Sequence, residues 1–296
     1  MVPNALFKVF GQGVYLYGIC IAVGLIACLL IFYSYTKKEG MPEVVQDYVF
    51  FVLIGGVAIG FLFAMLFQAF YNYLEDGVFV FGSGMTVMGG LIGGAGAFLL
   101  LYFVIGKYYF KGKKENLHKI HFNTIFRVAP ICITVAHAFG RIGCLMSGCC
   151  HGEYLGQEYV FGGIWMEGTV NGFSKWGYYV PTQLYEALFL FALTAVMSVL
   201  YFKRCNILMS IYLMAYGVWR IIIEIFRADE RGAVILGLAP SQWQSIVFIV
   251  GGIVLLVFYI VKKWHIFLPK KEVVQTVASS GDVENKTDDS KVDDHK

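Results

Sequence analysis

Seven apolar runs, most of them free of charge, restrict this chain more than any other feature of its 296 residues. A helix rises 1.5 Å per residue, so about 20 apolar residues cross a hydrocarbon core of roughly 30 Å. The runs are Val14 to Tyr35, Tyr48 to Leu74, a glycine-rich stretch ending at Lys107, Val128 to Met146, Thr182 to Phe202, Asn206 to Phe226, and Pro240 to Val261. In lipid every backbone polar group has to be satisfied inside the chain, so such runs are helices. The expected fold is an all-α integral membrane protein with about seven transmembrane helices. Composition agrees: 58% of residues are hydrophobic and only 15% charged, where soluble domains carry about 25%. Met1 to Gly13 lacks the basic stretch and small-residue cleavage site of a secretory signal, so the first run is expected to stay as an anchor.

The net charge of +3 is small, and its distribution is the informative part. Alternate loops hold Lys37, Lys38, Lys107, Lys111, Lys113, Lys114, Lys119, Arg127, Lys203, Arg204, Lys262 and Lys263, while the other loops hold only Lys8, Lys175, Arg227 and Arg231. Basic loops stay on the cytoplasmic side, which predicts a multi-pass protein with its N-terminus outside and its C-terminus cytoplasmic. The longest insert, residues 148–180 between the fourth and fifth helices, then faces outward. Its Gly, Tyr and Trp content suits a small ordered cap in the interface. Residues 1–265 are expected to form the membrane domain, and 266–296 a charged, disordered cytoplasmic tail. Nothing in the charge pattern suggests nucleic acid.

Charges inside the apolar runs are costly and therefore informative. His137 and Arg141 stand four apart in the fourth run, which puts both on one helical face a turn apart. In the sixth run Tyr216, Arg220, Glu224 and Arg227 follow at spacings of four, four and three, again on one face, with Arg220 and Glu224 as an i, i+4 pair. That pair is either self-neutralised or part of an anion site. Arg141 on the same side of the membrane favours the anion site, since two guanidiniums hold a phosphate bidentately. Glu186, near the start of the fifth run, needs a partner for its carboxylate. Gly89 with Gly93 and Gly90 with Gly94 have the small-xxx-small spacing of close helix packing.

Cys144, Cys149, Cys150 and His151 crowd the turn after Arg141. Thiolate and imidazole are ligands for zinc or copper, but the spacing fits no familiar metal pattern, and a disulfide is the stronger expectation for an outward-facing turn. Cys20, Cys28 and Cys132 sit deep in apolar runs, as small hydrophobes do.

GRIG at Gly140 to Gly143 followed by Gly152, GGLIGG at Gly89 to Gly94, PTQLYEA at Pro181 to Ala187, and YGVWRIIIEIFR at Tyr216 to Arg227 resemble the successive signature segments of the prolipoprotein diacylglyceryl transferases. The segments occur in the family's order and cover most of the chain. The resemblance implies a seven-span inner-membrane enzyme, with no metal and no cofactor. Its partners are membrane lipids, the donor phosphatidylglycerol and the lipobox cysteine of a prolipoprotein. Diacylglyceryl passes to that thiol and glycerol phosphate is released. Arg141 and Arg220 match the family's phosphatidylglycerol-holding arginines, and Tyr17, Gly89, Gly90, Gly152, Glu186, Tyr216 and Glu224 match substrate-binding positions.

Three positions depart from the family's pattern. Met88 stands where the family has a histidine before the GGLIGG glycines, Cys144 stands where it has an asparagine, and no arginine occurs near Ala64. Methionine cannot take a proton. His137, beside Arg141, is therefore the expected replacement as catalytic base. Two other readings stay open: a lipid-binding relative without catalysis, and a thiol-redox or metal-binding membrane protein built on the cysteine cluster.

Overall fold

The structure, a computed structural model, describes residues 7–9, 12–112, 116–170, 173–227, 240–262 and 265–268. Arg231, the side chains of Lys8 and Met88, and the tail from residue 269 onward lie outside the described residues. A short hairpin, β1 (Phe7–Val9) and β2 (Gln12–Val14), leads into α1 (Leu16–Lys38), α2 (Glu43–Asp76), α3 (Val87–Tyr109) and α4 (Leu117–Ser147). Then come β3 (Tyr154–Gly156), β4 (Ile164–Val170) and β5 (Phe173–Tyr179), followed by α5 (Thr182–Phe202), α6 (Leu208–Glu224) and α7 (Pro240–Val261). Six of these helices are long and apolar enough to cross a membrane, and α6, with 17 residues, is shorter. Leu30, Phe51, Ile92, Leu100, Val254 and Val257 are exposed on the outside of the bundle. An apolar surface of that extent is suited to acyl chains rather than water.

α4 is the axis of the bundle, packing against α1 and α5 and touching α2, α3 and α6, while α2 pairs with α3 and α6 with α7. The α2–α3 pair closes on glycines. A Cβ on Gly60 would come 3.0 Å from Gly94 Cα and 3.1 Å from the Gly90 carbonyl oxygen, both backbone atoms that cannot step aside. One on Gly89 would meet Phe67 Cβ at 2.5 Å. Small residues here let the two backbones approach, as the glycine spacing predicted. Ala64, near the position of the missing arginine, is buried in this seam, and its carbonyl accepts the Thr86 N–H at 3.1 Å.

The fourth helix starts earlier than the sequence suggested, at Leu117 rather than Val128. Its first turns were read as a basic link because of their charge, yet Arg127 is buried. Its Nε donates to Cys205 O at 3.1 Å, one terminal nitrogen donates to Tyr201 O at 3.1 Å, and the other meets Glu39 at 3.2 Å, with the guanidinium 4.7 Å over the Tyr201 ring. Arg127 therefore ties α4 to the chain just beyond α1 and to the end of α5. Inside α4, Pro130 removes one backbone donor, and Thr134 Oγ1 bonds to the Pro130 carbonyl at 3.0 Å.

The insert folds as a three-stranded antiparallel sheet in the order β3-β5-β4. β4 and β5 pair in register from Ile164 opposite Tyr179 to Val170 opposite Phe173. Tyr179 and Met166 are fully buried beneath it against Leu145, which seats the sheet on the last turn of α4. Arg227 does not continue the helical face of α6. The helix ends at Glu224, and Arg227 forms a bridge with Gly152 instead.

Candidate active site

The last three turns of α4, the start of α5 and the second half of α6 meet below this sheet, and Glu186 is at their centre. Its side chain has no solvent exposure. Arg141 places a terminal nitrogen 3.0 Å from Glu186 Oε1, and the Tyr216 hydroxyl donates to the same oxygen at 3.0 Å. His137 Nε2 lies 3.7 Å from that oxygen and accepts a hydrogen bond from Arg141 Nε at 3.3 Å. The His137 ring stands edge-on to Tyr216, with centroids 5.1 Å apart. Three helices thus deliver four polar side chains to one point, each helix supplying residues from one face. Glu186 Oε2 is buried and has no hydrogen-bond partner among the described residues. A buried acceptor left open in this way calls for a donor.

Arg220, a turn nearer the sheet than Tyr216, pairs with Glu224 at 3.0 Å and acts electrostatically on Glu186, His137 and Tyr216. The i, i+4 pair read from the sequence is present, and its arginine shares the Glu186 neighbourhood with Arg141. Tyr17, at the start of α1, comes close to Gly143, where a Cβ would lie 3.0 Å from its ring, and is within electrostatic reach of Arg141.

The matched glycines lie differently. Gly89 and Gly90 are in the α2–α3 seam described above. Gly152 is wedged between the end of α6 and the insert: a Cβ there would run into the Phe226 carbonyl oxygen and meet Val180 Cβ at 2.9 Å. Its N–H bonds to Val180 O at 2.8 Å. No side chain fits at that position.

His151 does not join the cluster. Its Nδ1 is 2.9 Å from Gly152 O, its ring lies on Tyr179 with centroids 4.3 Å apart, and a Cβ on Gly168 would come 2.5 Å from its Nε2. The three cysteines come together: the Sγ atoms of Cys144, Cys149 and Cys150 all lie within 4.8 Å of one another, none in a disulfide. The spacing hid this arrangement because Cys150 adopts a left-handed conformation, φ 64°, which breaks the usual alternation of neighbouring side chains. Donating its S–H toward Cys144 and Cys150, together with burial, raises the Cys149 thiol above its ordinary range.

A helical membrane bundle with two arginines, a histidine and a tyrosine gathered around a buried carboxylate at one end defines an integral membrane protein with a charged intramembrane site. The chain belongs to the prolipoprotein diacylglyceryl transferase family, whose pattern matches residues 4–258. It is 31% identical over 258 residues to the phosphatidylglycerol-prolipoprotein diacylglyceryl transferase of Clostridium tetani, covering 84% of this chain and 94% of that protein. Enzyme 2 of the same description from Clostridium perfringens is 30% identical over 258 residues, with 84% and 92% covered. The transferase of Campylobacter curvus is 29% identical over 284 residues, with 88% and 94% covered.

Proposed function

We propose that this protein is an enzyme that transfers a diacylglyceryl group from phosphatidylglycerol to the thiol of a prolipoprotein lipobox cysteine, releasing glycerol phosphate. The observation that carries the reading is the Glu186 centre, with Arg141 bonded to it and Arg220 in electrostatic reach. Two guanidiniums present a planar fork of donors to a phosphodiester, and they offset the charge that grows on the departing glycerol phosphate. Glu186 neutralises Arg141, and Glu224 neutralises Arg220, until a phosphate takes their place. The open Oε2 of Glu186 accepts a hydroxyl of the glycerol headgroup, a donor that a headgroup without hydroxyls lacks. Tyr216 holds Glu186, Glu224 holds Arg220, and Tyr17 stands near Arg141 at the mouth. Gly152 seats the insert over the site, and Gly89 and Gly90 act at one remove by letting α2 and α3 close up.

His137 is the catalytic base in this scheme. Its Nε2 is occupied by Arg141 Nε while no phosphate is bound. When Arg141 turns its donors to the headgroup, that nitrogen is released to take the acceptor thiol's proton, which raises the thiolate fraction.

The protein resides in the plasma membrane with its N-terminus outside and its C-terminus cytoplasmic. Lys37 and Lys38 close α1, Lys107 lies in the last turn of α3, Lys203 and Arg204 follow α5, and Lys262 follows α7, all at the bundle end away from the site. The site and the 148–180 insert then face outward, where prolipoproteins emerge.

The test uses purified protein in phosphatidylglycerol vesicles with a lipobox peptide. Mass spectrometry should find the peptide heavier by one diacylglyceryl group, glycerol phosphate in equal amount, and no product from the Cys→Ser peptide. Folded, inserted protein that yields neither product, beside a relative that yields both, overturns the reading.

A further inference from the structure

We propose that Trp219 is a further lipid-binding residue, whose buried and unpartnered indole N–H donates to an acyl ester carbonyl of the donor lipid and so selects an ester-linked over an ether-linked phospholipid. The proposal rests on the transferase reading and names the linkage chemistry of the lipid it uses.

Helical geometry brings Trp219 to the site. On α6 it stands three residues after Tyr216 and directly before Arg220, and on α5 Phe189 stands three residues after Glu186. Positions three apart share a helical face. Two contacts therefore join the helices side by side: the Tyr216 hydroxyl donates to Glu186 at 3.0 Å, and the Trp219 ring stacks on Phe189 with centroids 4.3 Å apart and planes 2° from parallel. The stack fixes the plane of the indole, and with it the line of its N–H bond. A phenylalanine would stack equally well. What the indole adds is a donor.

That donor has nothing to bond to. Trp219 Nε1 is shielded from solvent and has no hydrogen-bond partner among the described residues. The indole nitrogen only donates, so no hydroxyl rotation or amide flip relieves it. Buried tryptophans usually find an acceptor for this group, and in the hydrocarbon core no water can stand in. Glu186 Oε2 is its counterpart, an acceptor left open on the facing helix. The pair calls for a ligand that carries both a donor and an acceptor. A glycerophospholipid with a hydroxylated headgroup has both, since each of its ester linkages presents a carbonyl oxygen.

Depth agrees with this assignment. α6 runs from Leu208 toward the sheet and ends at Glu224, so Trp219 lies on the bilayer side of Arg220. Its ring leans further that way, because helical side chains tilt toward the helix N-terminus. In a phospholipid the ester groups likewise follow the phosphate toward the bilayer core. With the phosphate on Arg220, the carbonyls come to the level of the residue before it.

The experiment uses the full chain in nanodiscs of a zwitterionic lipid, with phosphatidylglycerol added as the diester or as the diether of equal chain length. Native mass spectrometry measures how well each lipid is retained, and the lipobox peptide assay gives the mole fraction at half-maximal transfer. The unaltered protein should retain the diester about tenfold better than the diether, as expected for one hydrogen bond to a buried donor. Trp219→Phe keeps the stack on Phe189 and removes the donor. It should abolish the preference by weakening retention of the diester alone, and raise the half-maximal mole fraction of the diester about tenfold with the loss falling there rather than on the maximal rate. A Trp219→Phe protein that keeps the preference, or that loses diester and diether alike, overturns the proposal, as does an unaltered protein that retains both lipids equally. The two readings separate: selective retention that vanishes in Trp219→Phe, with no transfer by either protein, sinks the transferase and leaves the indole contact, while transfer without a diester preference does the reverse.

Discussion

Glu186 and Arg141 form a charged pair shielded from water, and the pair can be weighed by a double-mutant cycle. In Glu186→Gln, Arg141 keeps its charge with no counterion at 3.0 Å, and Tyr216 loses its anionic acceptor. In Arg141→Gln, the carboxylate keeps the Tyr216 hydroxyl, the His137 ring and the more distant Arg220 charge. Removing one partner of a buried ion pair costs about 3–5 kcal/mol, since the other charge is left uncompensated. At 4 Å and an effective dielectric constant of 20 the direct attraction alone is about 4 kcal/mol. The double variant places two neutral amides face to face and avoids both penalties. It should therefore be less destabilised than the sum of the singles by about 2–4 kcal/mol. Unfolding by dodecyl sulfate in mixed micelles, followed by circular dichroism, gives the four free energies independently of activity. Additivity within about 0.5 kcal/mol would show that the two side chains do not share the site as described.

Three further outcomes are expected. His137→Gln should lower turnover on the order of 10²–10⁴-fold in the peptide assay, while His151→Gln, whose ring packs on Tyr179, should keep turnover and lose thermal stability; the reverse pattern would move the base to His151. Gly60→Val should weaken the α2–α3 seam by about 1–3 kcal/mol, measured as a lowered unfolding midpoint, because the added atoms meet backbone that cannot yield. In intact cells the variant Phe161→Cys, at an exposed position of the insert and made in a Cys149→Ser background, should react with a membrane-impermeant maleimide from the outside, and labelling only after permeabilisation would reverse the orientation.

The helices were legible because lipid leaves few alternatives to an uninterrupted apolar run, and α5 and α7 coincide with the runs Thr182 to Phe202 and Pro240 to Val261. The start of α4 was hidden because Arg127 looks like a loop charge until Glu39, Tyr201 and Cys205 are known to surround it. Its partners lie 74 to 88 positions away, beyond any local pattern. The same split runs through the site. The i, i+4 relations of His137 with Arg141 and of Arg220 with Glu224 follow from helical spacing alone. Glu186 was noticed as a carboxylate lacking a partner, but its place at the meeting point of three helices depends on how α4, α5 and α6 pack. The cysteine trio depends on one backbone angle at Cys150, which composition does not encode.

The Arg127 tie has a mechanical consequence. It clasps the basic end of the bundle shut, joining α4 to the ends of α1 and α5, while the substrate lipid has to slide in sideways at the far end. The molecule is therefore built like a clothes peg, sprung at one end and working at the other. From Arg127 to the end of α4 at Ser147 is about 20 residues, or about 30 Å, so a swing of about 10° parts the far tips by about 5 Å, the width of an acyl chain. Every contact behind the pivot can stay made during that swing, so the jaws can admit a lipid one acyl chain at a time without the bundle coming apart.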